Sequence, residues 1–200
     1  SLHDALPIFI ASFDYLCQRF NKPKLPYEEI YKFSGPPIKE TLKKQFPEVD
    51  INTSYQEFYQ ISSSLYDETH VLIYPYEKEV LEELKKEGFK LGVVTNKMHD
   101  LTLVALNVLK LNHLIDVVVG FDDVKNGKPD KEGILKAIDL LGGDLLHTLY
   151  VGDNKIDLFS ANNAGVSCAL VNWGPRQLDE QTIPTFKFNS YLELKEKLYE

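Results

Sequence analysis

An α/β fold on a doubly wound parallel sheet is what this 200-residue sequence predicts. Three observations carry that expectation. From Pro75 onward, strand-like runs alternate with amphipathic helical stretches. The runs, such as KLGVVT (90–95) and DVVVGF (116–121), are almost continuously apolar and rich in β-branched residues, as strands covered on both faces must be. Polar residues gather just after these runs, where sheets of this kind bind ligands. Residues 1–74 read differently, as helices with aromatics at helical spacing, so the chain divides into 1–74 and 75–200.

In order, Ala5 to Phe20 carries Leu6, Phe9, Phe13, Leu16 and Phe20, an amphipathic stripe. Pro23 and Pro26 interrupt it. A short helix is expected over Tyr27–Phe33, then a break at Gly35-Pro36-Pro37 and a helix from Ile38 to Phe46 stopped by Pro47. Thr53–Thr69 is a tyrosine-rich helix whose stripe reads as core and as a candidate homodimer face. The second half predicts helices over Glu77–Glu87, Asp100–Leu109, Lys131–Leu141, Asp157–Ala164 and Tyr191–Tyr199. Between them lie strands KLGVVT, DVVVGF, HTLYV (147–151), CALVNW (168–173) and TFKFN (185–189). The strand ends present Thr95 and Asn96, Asp122 and Asp123, Asp153 and Asn154, and Asn172 to Gly174.

Composition narrows the functional class. Hydrophobic residues make up 44% and the net charge is -8, which argues against nucleic acid or an anionic membrane as partner. No apolar run approaches the roughly 20 residues of a membrane span, and Ser1 to Phe20, with Asp4, Asp14 and Arg19, does not read as a signal peptide. Cys17 and Cys168 are isolated in apolar surroundings, which predicts buried thiols and a cytoplasmic location. The five histidines show no zinc-binding spacing.

Three strand-end features carry chemistry. Asp153 and Asp157 stand at i and i+4 where a strand gives way to a helix. They suit a shared Mg²⁺ ion, or equally an N-cap and a first-turn acid. Thr95 and Asn96 offer a hydroxyl and an amide for a phosphoryl oxygen, or a cap before Asp100. Lys128, in Asn126-Gly127-Lys128-Pro129, could neutralise a phosphoryl group or be an ordinary surface lysine. The glycine spacing is wrong for a P-loop. Together, a hydroxyl, a cation and two acids on successive βα units suit phosphoryl transfer.

VVTNK, GKPD and VGDNKIDLFSANNAG, in this order and spacing, resemble motifs II, III and IV of the haloacid-dehalogenase-like hydrolases. The chain is most similar to their phosphoglycolate phosphatase-like subfamily, and SGPPIKETL resembles a segment of its inserted helical cap. The resemblance implies a cap over 1–74 and an α/β core over 75–200. It implies a Mg²⁺-dependent phosphatase for a small phosphorylated metabolite such as phosphoglycolate. Thr95 and Lys128 would be catalytic, Thr95, Asn96 and Lys128 would hold the phosphate, and Asp153 with Asp157 would bind or support the metal. A sugar-phosphate phosphomutase and a non-catalytic binding module are the alternatives.

The family's nucleophile is an aspartate in a motif like DxDGTLxDS on the first strand. This sequence opens SLHDALPIFIASF, and Asp4 matches only the last aspartate of that motif. The expectation is a core without its first central strand, with an apolar slot and unpaired strand edges in its place, and no nucleophile for the written chain. Truncation and true divergence both stay open.

Overall fold

The structure is a computed structural model that describes residues 6–172 and 183–199. Asp4, Trp173 and Gly174 lie outside the described residues. Four helices come first: α1 (Leu6–Arg19), α2 (Tyr27–Tyr31), α3 (Ile38–Gln45) and α4 (Ile51–Ser64). Their shared core is the predicted aromatic stripe. Phe13 is fully buried, with the rings of Phe33, Phe58 and Phe46 at 5.0, 5.8 and 6.4 Å, and Leu16, Cys17, Ile30 and Leu42 complete it.

The tyrosine-rich helix is shifted from its expected span. It starts at Ile51 because the Asp50 carboxylate caps it, accepting from the Thr53 amide at 3.0 Å. It ends at Ser64, after the hydroxyls of Ser62, Ser63 and Ser64 turn back onto the carbonyls of Tyr59 and Ile61. Residues 65–69 are not helical; the Asp67 carboxylate accepts from the amides of Thr69 and His70 instead.

The second half alternates α5 (Glu77–Lys86), β1 (Gly92–Val94), α6 (His99–Val108), β2 (Val117–Val119), α7 (Glu132–Leu141), β3 (Leu149–Gly152), α8 (Lys155–Ala164), β4 (Ser167–Val171), β5 (Phe186–Phe188) and α9 (Tyr191–Leu198). The strands are shorter than the apolar runs that announced them. All pairing among the described residues is parallel. Strand β4 shows why its run is apolar throughout. Cys168 and Leu170 pack with Ile134, Ile138 and Leu158 of α7 and α8, while Ala169 packs with Val80, Leu84 and Leu194 of α5 and α9. Alternate residues therefore serve helices on opposite faces.

The sheet is in two pieces, β1-β2 and β3-β4-β5. Between β1 and β3 lies a cavity of about 780 Å³ whose walls include Leu91, Val93, Leu149 and Val151 from the strands and Leu84 and Leu194 from the helices. One side chain spans it, with the Tyr150 hydroxyl 3.2 Å from the Val94 carbonyl. Among the described residues no strand lies between these two facing edges.

Glu77, at the start of α5, is fully buried, with Oε2 accepting from the Tyr74 amide at 3.0 Å. Burial pushes its carboxyl up to about 8, against the pull of that amide. The folded state therefore holds a proton there that the unfolded chain releases near pH 4.3, and stability falls as pH rises from about 4.3 to about 8. Replacing Glu77 with Gln should flatten that fall. Melting temperatures of the two proteins should agree near pH 5 and diverge by several degrees, in favour of the variant, by pH 8. Parallel curves would show that Glu77 titrates normally.

Candidate active site at the strand ends

The loop after β1 begins with Thr95, whose amide continues the ladder by donating to the Val119 carbonyl at 3.0 Å. The Thr95 hydroxyl accepts from the Lys97 amide at 3.1 Å and lines the cavity. Asn96 next to it acts as a brace. Its amide nitrogen donates to the carbonyls of Gly35 and Lys128 at 2.8 and 3.0 Å, and its Oδ1 accepts from the Lys128 amide at 2.8 Å. Gly127 permits this approach: a Cβ there would lie 2.5 Å from Asn96 Oδ1 and 2.7 Å from the Phe121 ring.

With both backbone groups of Lys128 held, its ammonium reaches inward and donates to Asp157 Oδ1 at 2.6 Å and to the Tyr150 hydroxyl at 3.2 Å. The Lys128 and Asp157 side chains are only 12% and 6% exposed. Burial alone would push the lysine down and the carboxyl up. Their opposite charges outweigh it, so Lys128 lies above the usual ammonium range and Asp157 below the usual carboxylate range. Burial keeps the Tyr150 hydroxyl protonated, above the ordinary tyrosine range.

The acid pair divides its work. Helix α8 starts at Lys155, two residues before its expected first residue, and its N-cap is Asn154, not Asp153. The Asn154 side chain is well suited to that position, accepting from the Ile156 amide at 3.1 Å. Asp157 Oδ2 reaches back to accept from the amides of Asp153 and Asn154, each at 3.1 Å, the reciprocal half of a capping box. Gly152 makes room, since a Cβ there would fall 2.3 Å from the Cβ of Asp157. Asp157 is thus an anchor beneath the loop, its two carboxylate oxygens engaged by Lys128 and by two backbone amides, and both acids line the cavity.

The structure brings Thr95, Asn96, Lys128, Asp153 and Asp157 to one end of the cavity. It does not bring Asp122 and Asp123 there. Asp122 accepts from the His99 amide at 2.7 Å, and Asp123 pairs with the His99 ring at 2.6 Å, so both serve the start of α6. Asn172 continues the β4–β5 ladder, its amide donating to Phe188. Three contributors were missed from sequence: Tyr150, Lys97, and the tyrosine wall formed by Tyr55, Tyr59 and Tyr66. A tyrosine inside the otherwise aliphatic end of β3 was the available signal for the first. Among the described residues no group of three or more His, Cys, Asp or Glu is placed to hold a metal ion. One or two carboxylates with a phosphate ligand and waters are an ordinary Mg²⁺ environment, and the Asp153/Asp157 pair is of that donor type.

Residues 1–171 match the family model of haloacid dehalogenase-like hydrolases, and the chain belongs to that family. The pyrophosphatase PpaX of Bacillus cereus is 33% identical over 190 residues, spanning 93% of this chain and 80% of the relative. A haloacid dehalogenase-like family hydrolase from Streptococcus pneumoniae superposes with a TM-score of 0.85 at 20% identity, covering 99% and 93% of the two chains. A predicted phosphoglycolate phosphatase from Haemophilus somnus gives 0.84 at 23% identity, covering 100% and 93%. At those identities the two structures bear on the fold alone. Among the described residues no helix is long and apolar enough to cross a membrane.

Proposed function

We propose that this chain carries the phosphate-binding half of a Mg²⁺-dependent phosphatase for small phosphate esters or anhydrides. The observation that carries the reading is the buried Lys128–Asp157 pair beside Thr95 and Asp153 at one mouth of the cavity. Thr95 would donate its hydroxyl to a phosphoryl oxygen. Lys128, fixed by Asn96 and Asp157, would supply the positive charge that both a phosphate and an attacking carboxylate need. Asp153 would hold Mg²⁺, with Asp157 supporting it by fixing the loop. The ion, when bound, supplies charge neutralisation at the phosphate oxygens. Residues 1–74 would form the cap that closes over this mouth, and 75–200 the core. The buried thiols of Cys17 and Cys168 favour a cytoplasmic protein.

Covalent phosphoryl transfer also needs a carboxylate nucleophile, and no residue of this sequence is matched to that role. The cavity between β1 and β3 suits an extended apolar segment that would deliver one beside Lys128. The test fuses such a segment, ending in DxDGTL, ahead of Ser1 and measures phosphate release with Mg²⁺ from 2-phosphoglycolate, pyrophosphate and a sugar phosphate. Mg²⁺-dependent release at least a hundredfold above the unfused chain supports the reading. An isomerised sugar phosphate without release would mark a mutase, and no turnover of any of the three would sink the phosphatase reading.

A further inference from the structure

We propose that Lys39, at the rim of the cavity, is a specificity-determining residue that binds a second anionic group on the part of a phosphorylated substrate that is not transferred. This assignment rests on the phosphate-site reading above and extends the ligand beyond that site.

Stiff backbone places the residue. The carbonyls of Ser34 and Gly35 accept from Asn154 and Asn96 at 3.3 and 2.8 Å, which seats this segment on the two strand-end loops. Pro36 and Pro37 follow, each with a fixed φ, and Lys39 is the second residue of α3. Four Cα steps bound the Gly35–Lys39 separation at about 15 Å. The Lys39 side chain lies across to α4, with its ammonium 4.6 Å from the centre of the Tyr55 ring. Lys39 and Tyr55 line the same cavity as Thr95, Lys128 and Asp153. Lys39 is also exposed, so it stands where that cavity meets solvent.

No protein group neutralises this cation. Among the described residues the Lys39 ammonium makes no hydrogen bond and no ion pair, and its one contact is the π face of Tyr55. Asp100 and Asp122, the acids near this wall, are engaged elsewhere. Asp100 accepts from the Tyr59 hydroxyl and the Leu101 amide, and Asp122 from the His99 amide. The other cavity-lining lysines are committed. Lys128 is paired with Asp157 at 2.6 Å, Lys90 donates to the Leu141 carbonyl at 2.5 Å, and Lys97 is held over Tyr66 with a further contact of its own. An anion therefore reaches Lys39 without first breaking an ion pair. The cavity, about 780 Å³, exceeds what a phosphate alone would fill, so a ligand seated on Thr95 and Lys128 has room to extend towards the rim.

Two ligand pairs test this by isothermal titration calorimetry with Mg²⁺ present. Fructose 1,6-bisphosphate and fructose 6-phosphate differ by a distal phosphate; 6-phosphogluconate and sorbitol 6-phosphate differ by a distal carboxylate. In at least one pair the doubly anionic ligand should bind about fivefold more tightly, the worth of one part-exposed charge pair. The pair that shows it identifies the group. Lys39→Met and Lys39→Gln should each bring that preference within about twofold and keep the affinity for the monophosphate within about twofold of wild type. Lys39→Arg should keep most of the preference. Lys43→Met, on the same helix but outside the cavity wall, should keep all of it. A preference that survives both Lys39→Met and Lys39→Gln, an equal loss in Lys43→Met, or equal binding within both pairs by the wild-type chain overturns the assignment and leaves the phosphate site standing. Binding of none of the four ligands by the wild-type chain overturns the phosphate site, and the assignment with it.

Discussion

Replacing Lys128 with Met should lower the melting temperature by on the order of 10 °C. The variant leaves Asp157, only 6% exposed, without its lysine partner, its carboxylate held by the amides of Asp153 and Asn154 and the Tyr150 hydroxyl alone among the described residues. Removing one partner of a buried pair costs about 3–5 kcal/mol, and for a chain of this length each kcal/mol shifts the midpoint by roughly 2–4 °C. The double variant Lys128→Met with Asp157→Asn should recover part of the loss. The pH dependence follows from the directions of the two shifts. Asp157 lies below its unfolded value, so its contribution is present above about pH 3.9 and is lost as pH falls through the folded value. Lys128 lies above its unfolded value, so its contribution is present below about pH 10.4 and is lost as pH rises through the folded value. Thermal melts between pH 2 and pH 11 should show both limits in the wild-type chain and neither in the double variant. A Lys128→Met midpoint within 2 °C of wild type would show that the ammonium is solvated and the pair dispensable.

Gly152→Ala should be nearly as damaging although it adds a single methyl. The new Cβ would stand 2.3 Å from Asp157 Cβ, 2.5 Å from Cγ and 2.7 Å from Oδ2, and none of these is the free end of a flexible chain. Either β3 or the first turn of α8 must move, and with it the two 3.1 Å bonds from the amides of Asp153 and Asn154 to Asp157. Overpacking of this kind costs about 3 kcal/mol. The corresponding change at Gly165, where a Cβ meets nothing within 4 Å but the backbone has φ +76, should cost about 1 kcal/mol. Urea denaturation of the two variants decides it: equal midpoints would mean that the approach of β3 to Asp157 relaxes freely.

Much of this architecture was legible in the sequence because it rests on periodicity. The Leu6, Phe9, Phe13, Leu16 stripe gave α1, and the unbroken apolar runs gave strands covered on both faces, as β4 demonstrates. Strand and helix ends were less legible, because they depend on single side chains such as Asp50 and Asn154 that win a cap from a neighbour of equal propensity. In the site, Thr95, Lys128 and the Asp153/Asp157 pair could be picked out because strand-end positions are few and polar residues there stand out. Their division of labour could not. Spacing alone does not say that Asp157 turns its carboxylate back onto two amides and a lysine, or that Asn96 commits both ends of its amide to neighbouring backbone. Lys97 and Tyr66 are 31 positions apart and meet only through tertiary packing.

Asn96 donates to the Gly35 carbonyl and Asn154 to the Ser34 carbonyl, at 2.8 and 3.3 Å. Successive peptide units of the helical layer are thus clipped to two different strand-end loops. Asn96 is also the residue that fixes the Lys128 backbone. Lifting the 34–37 segment and loosening the lysine are therefore linked equilibria, and linkage runs in both directions. By that linkage, a ligand that tightened Lys128 would favour the seated helical layer, and breaking the Asn96–Gly35 bond would loosen the lysine loop.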